Sequence, residues 1–161
     1  MNAKQPVNFS RNQAALNGLA KLIQRYQRES PDKRLDRIVI AGGPRSGKST
    51  LTSKISSGYR VHDGEELVGF EWSPGSLRAS EWLDEPGPWI CENVAMARAL
   101  RKWLARNPTG PAPADLVIQL GCQVAERIPG QQRMALGCLT VWEKIKPELL
   151  RRGTQILEAS A

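Results

Sequence analysis

Arg37-Ile38-Val39-Ile40-Ala41-Gly42-Gly43-Pro44-Arg45-Ser46-Gly47-Lys48-Ser49-Thr50 is the stretch on which the fold turns. It opens as a short apolar run ending in glycines, the pattern of a strand buried on both faces. It continues as G-x-x-x-x-G-K-[ST], and Lys48 to Ser57 reads as a helix closed by Gly58. Glycines let successive backbone N–H groups turn inward to line an anion nest, which Cβ atoms would obstruct. The positive end of the helix beginning near Lys48 faces the same point. Lys48 adds a mobile charge for β- and γ-phosphates, the Ser49 hydroxyl suits Mg²⁺, and Thr50 supports the helix turn.

Upstream, residues 1–9 read as a loose arm and 10–30 as a helix capped by Ser10, with Leu16, Leu19, Ile23 and Tyr26 at helical spacing. Glu29-Ser30-Pro31-Asp32 reads as the break after it. Downstream, Tyr59–His62, Pro88–Cys91, Leu116–Leu120 and Thr154–Leu157 read as four more strands. An acidic insertion spans 64–88, with a helix start at Ser73-Pro74. A helix is predicted from Val94 to Arg106. After a short lid-like loop at 121–133, another runs from about Gln131 to Arg151. Its apolar stripe is Met134, Cys138, Val141, Trp142 and Ile145, and Pro147 is expected to kink or interrupt it. Strands alternating with helices argue for a parallel sheet covered on both faces. The expectation is one α/β domain over 1–161, a three-layer α/β/α sandwich with five parallel strands.

The 161 residues suit one domain. A hydrophobic fraction of 40% allows a packed core, and no apolar run is long enough to span a membrane. The start has no apolar h-region, so no signal peptide is expected. Three cysteines without CxxC spacing fit neither a disulfide framework nor a zinc site, which makes a reducing, cytoplasmic setting the simplest reading. Net charge is +7, yet 38–96, with five basic and eight acidic residues, is acidic between basic flanks. The surplus suits an anionic partner, either a phosphate-bearing small molecule or nucleic acid, and does not choose between them. Oligomeric state is not legible.

Residues 42–50 satisfy the P-loop, or Walker A, pattern, and on them the chain resembles the P-loop NTPases. Within that superfamily it most resembles the small nucleotide-kinase-like (adenylate-kinase-like) group. The specific match covers 37–57; the rest is similar in element order and length. The resemblance implies strand order 2-3-1-4-5, ATP and Mg²⁺. It assigns the nucleotide to Gly42, Gly43, Pro44, Arg45, Ser46, Gly47, Lys48, Ser49 and Thr50. No N-K-x-D base-reading motif is present, and the third strand ends Glu92-Asn93 rather than in paired acids.

Outside the loop each candidate has two readings. Asp63 follows the second strand, where resembling kinases hold the acceptor hydroxyl, but Asp63-Gly64 is also a turn dipeptide. Glu92 fits the place of an acidic group facing the metal with Ser49, or accepts bonds from the next helix's N-terminus. Arg127 and Arg133 flank Pro129-Gly130 in the lid position and suit charge on a transferring phosphoryl. Arg98 and Arg78 are candidates for holding the acceptor. Arg101 and Lys102 read as a solvated basic face, and Asn93 as a cap. His62 reads as a strand-end or exposed residue, while Trp72 and Trp82 either stack a ring or form the insertion's core. Trp103, Trp142 and Cys91 read as core.

The leading expectation is an ATP-dependent phosphotransferase acting on a small hydroxyl or phosphate acceptor. Lys48, Asp63, Glu92 and Arg127 would do the chemistry. The alternatives are a nucleic-acid-associated ATPase or polynucleotide 5′-kinase, and a nucleotide-binding regulatory or assembly protein with little turnover.

Overall fold

Alternate residues of the central strand leave for opposite sides of the sheet, and two cores result. The computed structural model describes residues 7–29 and 35–159. In it, β1 (Arg37–Gly42) is followed by α2 (Lys48–Ile55), β2 (Arg60–His62), α3 (Trp72–Trp82), β3 (Trp89–Glu92), α4 (Met96–Arg106), β4 (Leu116–Leu120), α5 (Pro129–Arg151) and β5 (Gln155–Ala159); α1 (Phe9–Glu29) precedes them all. The strands form one sheet in the order β2-β3-β1-β4-β5, and every neighbouring pair is parallel. That is the expected architecture and order.

Val39 and Ala41, with Cys91 and Val117, pack under Trp82, Trp103 and Trp142 from α3, α4 and α5. Ile38, Ile40, Ile90 and Ile118 pack under Leu16, Ile23, Leu51 and Ile55 from α1 and α2. Parallel strands need crossover connections, which α2, α3, α4 and α5 supply; with α1 packed beside α2, both faces are covered. Ile38, Val39, Ile40 and Ala41 are all 0% exposed. The strand that carries the glycine-rich loop is therefore anchored in the core on both faces.

Several local expectations are corrected. Asn8, not Ser10, receives the first-turn N–H, from Arg11 at 2.9 Å, and the helix starts at Phe9. Residues 1–6 of the expected arm and Ser30–Asp32 of the expected break lie outside the described residues. α5 runs unbroken through Pro147, which lies four residues from its end; buried Ile145 and Leu149 hold the helix on both sides of the missing N–H. Met134, placed on the core stripe, is exposed. Lys102 is no solvated charge, since its Nζ donates to Ser73 O at 2.7 Å and Ser76 Oγ at 2.6 Å and ties α4 to α3. His62 is buried, with Nδ1 and Nε2 each 2.7 Å from a carboxylate, of Glu66 and Glu85, and its ring stacked on Trp82.

Candidate functional site

Between β1 and α2 the chain makes a tight loop whose conformation is built from its own polar groups. Ser46 Oγ donates to Gly43 O at 2.8 Å, and Lys48 Nζ donates to the same oxygen at 2.6 Å and to Ser46 Oγ at 3.3 Å. Gly47 enters α2 at φ 89° and Arg45 takes φ 59°, both in the left-handed region. For Arg45, which has a Cβ, that region costs about 1 kcal/mol or more. Gly43 is needed for a second reason: a Cβ there would sit 2.5 Å from Ala135 Cβ, so α5 lies directly against the loop.

Lys48 is buried and its pKa falls to about 8 because desolvation outweighs the attraction of Glu92. Glu92, at the end of β3, is also buried, and desolvation raises its carboxyl above the usual range; Lys48 and the Ser49 hydroxyl pull the other way. Ser49 Oγ donates to Glu92 Oε1 at 3.2 Å. A hydroxyl and a carboxylate beside the glycine-rich loop are hard oxygen donors of the kind a Mg²⁺ ion takes. Among the described residues no group of three or more His, Cys, Asp or Glu could hold a metal alone. Ser49 and Glu92 together could supply two oxygen ligands to such a cation.

Lys48, Ser49, Asp63 and Glu92 line one open cleft of about 440 Å³. Asp63 Oδ1 accepts the Glu65 N–H at 3.0 Å and caps a 3-10 turn over Gly64–Leu67, so the turn reading holds, and the residue also lines the cleft. A smaller cavity of about 180 Å³ adjoins it, sharing Gly64, Asn93 and Val94 and adding Phe70 and Trp72. Trp72 is thus an exposed wall residue, while Trp82 belongs to the core. Arg98 lies 4.7 Å over the Trp72 ring, at the α4 side.

Arg127 reaches the loop from the segment after β4. Its Nε donates to Pro44 O at 2.5 Å, and Val124 N donates to Arg45 O at 2.8 Å. The expected lid-like segment is therefore a short loop stitched to the glycine-rich loop, and it ends where α5 begins at Pro129. Arg133, expected in that loop, is an exposed residue of α5 and lines none of these cavities. Arg78 is not brought to the cleft either: it is exposed on α3 and paired with Glu81 at 2.7 Å.

Two features escaped the sequence reading. Cys138, buried on α5, lies within electrostatic reach of Arg98, Lys48 and Arg127; burial pushes its thiol up, and the three cations oppose that. Gln119 carries the only buried side-chain polar atom without a partner among the described residues, its Oε1. It lines a cavity of about 150 Å³ with Gly43 and Arg127. A glutamine inside the otherwise apolar Leu-Val-Ile-Gln-Leu strand was the available signal. No family model matches the chain, and no curated protein matches it either.

Proposed function

We propose that the chain is a P-loop NTPase of the small-kinase type that moves the γ-phosphate of ATP to a hydroxyl acceptor. The observation that carries this is the meeting of Lys48, Ser49, Glu92 and Asp63 in one cleft at the C-terminal ends of the strands, with Ser49 bonded to Glu92. Open α/β sheets bind ligands at that edge, where successive connections leave for opposite faces. Here β1 is flanked by β3 and β4, and its loop opens into the crevice.

In this reading the loop amides and Lys48 hold the β- and γ-phosphates, and Ser49 and Glu92 hold Mg²⁺ directly or through water. The cation supplies charge neutralisation on the phosphate oxygens. Lys48 now bonded to Gly43 O exchanges that carbonyl for a phosphate oxygen. Asp63 accepts the proton of the acceptor hydroxyl, whose oxygen forms the new bond to γ-phosphorus. The bond to the β–γ bridging oxygen breaks, and ADP leaves with the electron pair. Arg127 is held at the loop by Pro44 O, and a small movement puts its fork on the transferring group.

The test is an ATP-consumption screen over nucleosides, nucleotides, sugars and 5′-hydroxyl oligonucleotides. ADP release stimulated by one acceptor class, with a phosphorylated product, is the expected outcome. The net charge of +7 favours one second reading: stimulation by DNA without a phosphorylated product identifies a nucleic-acid-associated ATPase.

A further inference from the structure

The strand order gives the glycine-rich loop two sides. β3, with Glu92, lies on one, and the segment after β4, with Val124, lies on the other. On the phosphate-binding reading, Ser49 and Glu92, bonded to each other, put the reacting end of the nucleotide on the first side. On the same reading, a nucleoside triphosphate whose terminal phosphate lies there has its organic part directed away from Glu92, towards the second side. That side holds a cleft of about 390 Å³, lined by Phe9, Ser10, Gln13, Ala14 and Asn17 of α1 and by Val124.

The cleft lies beside the loop, and its walls are tied to it although no loop residue lines it. Val124 N is bonded to Arg45 O at 2.8 Å. A Cβ on Gly47 would meet Leu16 Cδ1 at 2.3 Å and Val124 Cγ1 at 3.6 Å, so α1 and Val124 both reach the loop's end. Asn12 Nδ2 donates to Gln123 O at 2.8 Å and Gln24 Nε2 to Lys54 O at 2.6 Å, which pins α1 along α2 and across to the segment after β4. Phe9, Ala14 and Val124 supply apolar surface for a flat ring. Of the two carboxamides, Asn17 already accepts a bond from Lys54, whereas Gln13 has no partner among the described residues.

We propose that this cleft between α1 and the segment after β4 is the base-recognition site of the nucleotide, and that the Gln13 carboxamide reads adenine. The inference rests on the phosphate-binding reading above and adds to it a base, a site and a residue. A carboxamide presents a donor and an acceptor side by side, which matches the paired amino group and ring nitrogen of adenine; guanine offers two acceptors on the corresponding edge. The base-reading element is then the helix that precedes the sheet, which explains why no guanine-reading N-K-x-D motif is needed.

Calorimetric titration of the full chain with the Mg²⁺ complexes of ATP, GTP and inorganic triphosphate separates this proposal from the one beneath it. ATP is expected to bind more tightly than either GTP or inorganic triphosphate. Gln13→Ala should weaken ATP roughly tenfold, towards GTP, and leave inorganic triphosphate unchanged. Ser10→Trp, at an exposed position on α1, should block the cleft to ATP and spare inorganic triphosphate. Equal affinity for ATP and GTP, or two variants that bind ATP like the parent, overturns the base site while leaving phosphate binding intact. Failure of inorganic triphosphate and both nucleotides to bind the parent chain overturns the phosphate reading and this inference with it.

Discussion

Lys48 is held where burial disfavours its charge. Its pKa of about 8, set by burial, means that part of the population is neutral above pH 8. A bound polyanion favours the ammonium form, so binding above pH 8 takes up a proton, and binding near pH 6.5 draws none from this group. Calorimetry in buffers of different ionisation enthalpy reads that uptake directly; pH-independent proton exchange would sink the assignment. The same shift makes the unliganded fold gain stability from this residue as pH rises from about 8 towards 10.5, because the unfolded chain holds the proton longer. Lys48→Ala is expected to abolish triphosphate binding and leave the fold intact. Asp63 separates a kinase from a plain ATPase. Asparagine keeps an acceptor for the Glu65 N–H, so Asp63→Asn should fold and bind ATP normally. Phosphotransfer should fall by roughly 10²–10⁴-fold, and equal phosphorylation by both proteins would leave Asp63 only its turn-capping role.

Two packed helices set the loop's shape from outside, and glycines record both contacts. On the α5 side, a Cβ on Gly43 would stand 2.5 Å from Ala135 Cβ and 2.8 Å from its Cα. The second atom is backbone and cannot swing away. Gly43→Ala is therefore expected to cost about 1–3 kcal/mol in urea denaturation, and Ala135→Gly in the same chain restores only part. On the α1 side the clash at Gly47 is with the tip of Leu16, which can move. The φ of 89° cannot be relieved so easily, so Gly47→Ala destabilises chiefly through backbone strain, by about 1 kcal/mol or more. Adding Leu16→Val to Gly47→Ala should then recover little stability; full recovery would show that the side-chain clash is the main cost.

Over the whole molecule, charge and topology answer different questions. Described residues of α1 such as Lys21, Arg25 and Arg28 belong to the basic flank, while the acidic stretch contains the cleft residues Asp63, Glu65 and Glu92. A chain of net charge +7 that binds nucleic acid through phosphates must lose affinity steeply between low and physiological salt. Absence of binding even at low salt removes the nucleic-acid readings and leaves the small acceptor. No helix among the described residues is long and apolar enough to cross a membrane.

The strand–loop–helix at 37–57 was legible because each residue there answers a local requirement: apolar residues for a doubly buried strand, small ones for a turned backbone, a lysine at a helix start. Periodicity likewise made all five strands and five helices readable, with ends misplaced by a few residues where caps compete, as Asn8 does with Ser10. Lys48, Ser49 and Glu92 were also nameable, since strand ends and the loop's pattern locate them. What one dimension cannot carry is which surface residues meet. Arg78 and Arg133 looked as eligible as Arg98 and Arg127, and only packing sent the first two to solvent and the last to the loop. His62, Lys102 and Gln13 acquire their settings from elements distant in the chain. Local propensity follows from neighbours along the backbone, whereas partners, burial and the protonation state of Lys48 follow from neighbours in space, which only the assembled sheet and its two helical layers decide.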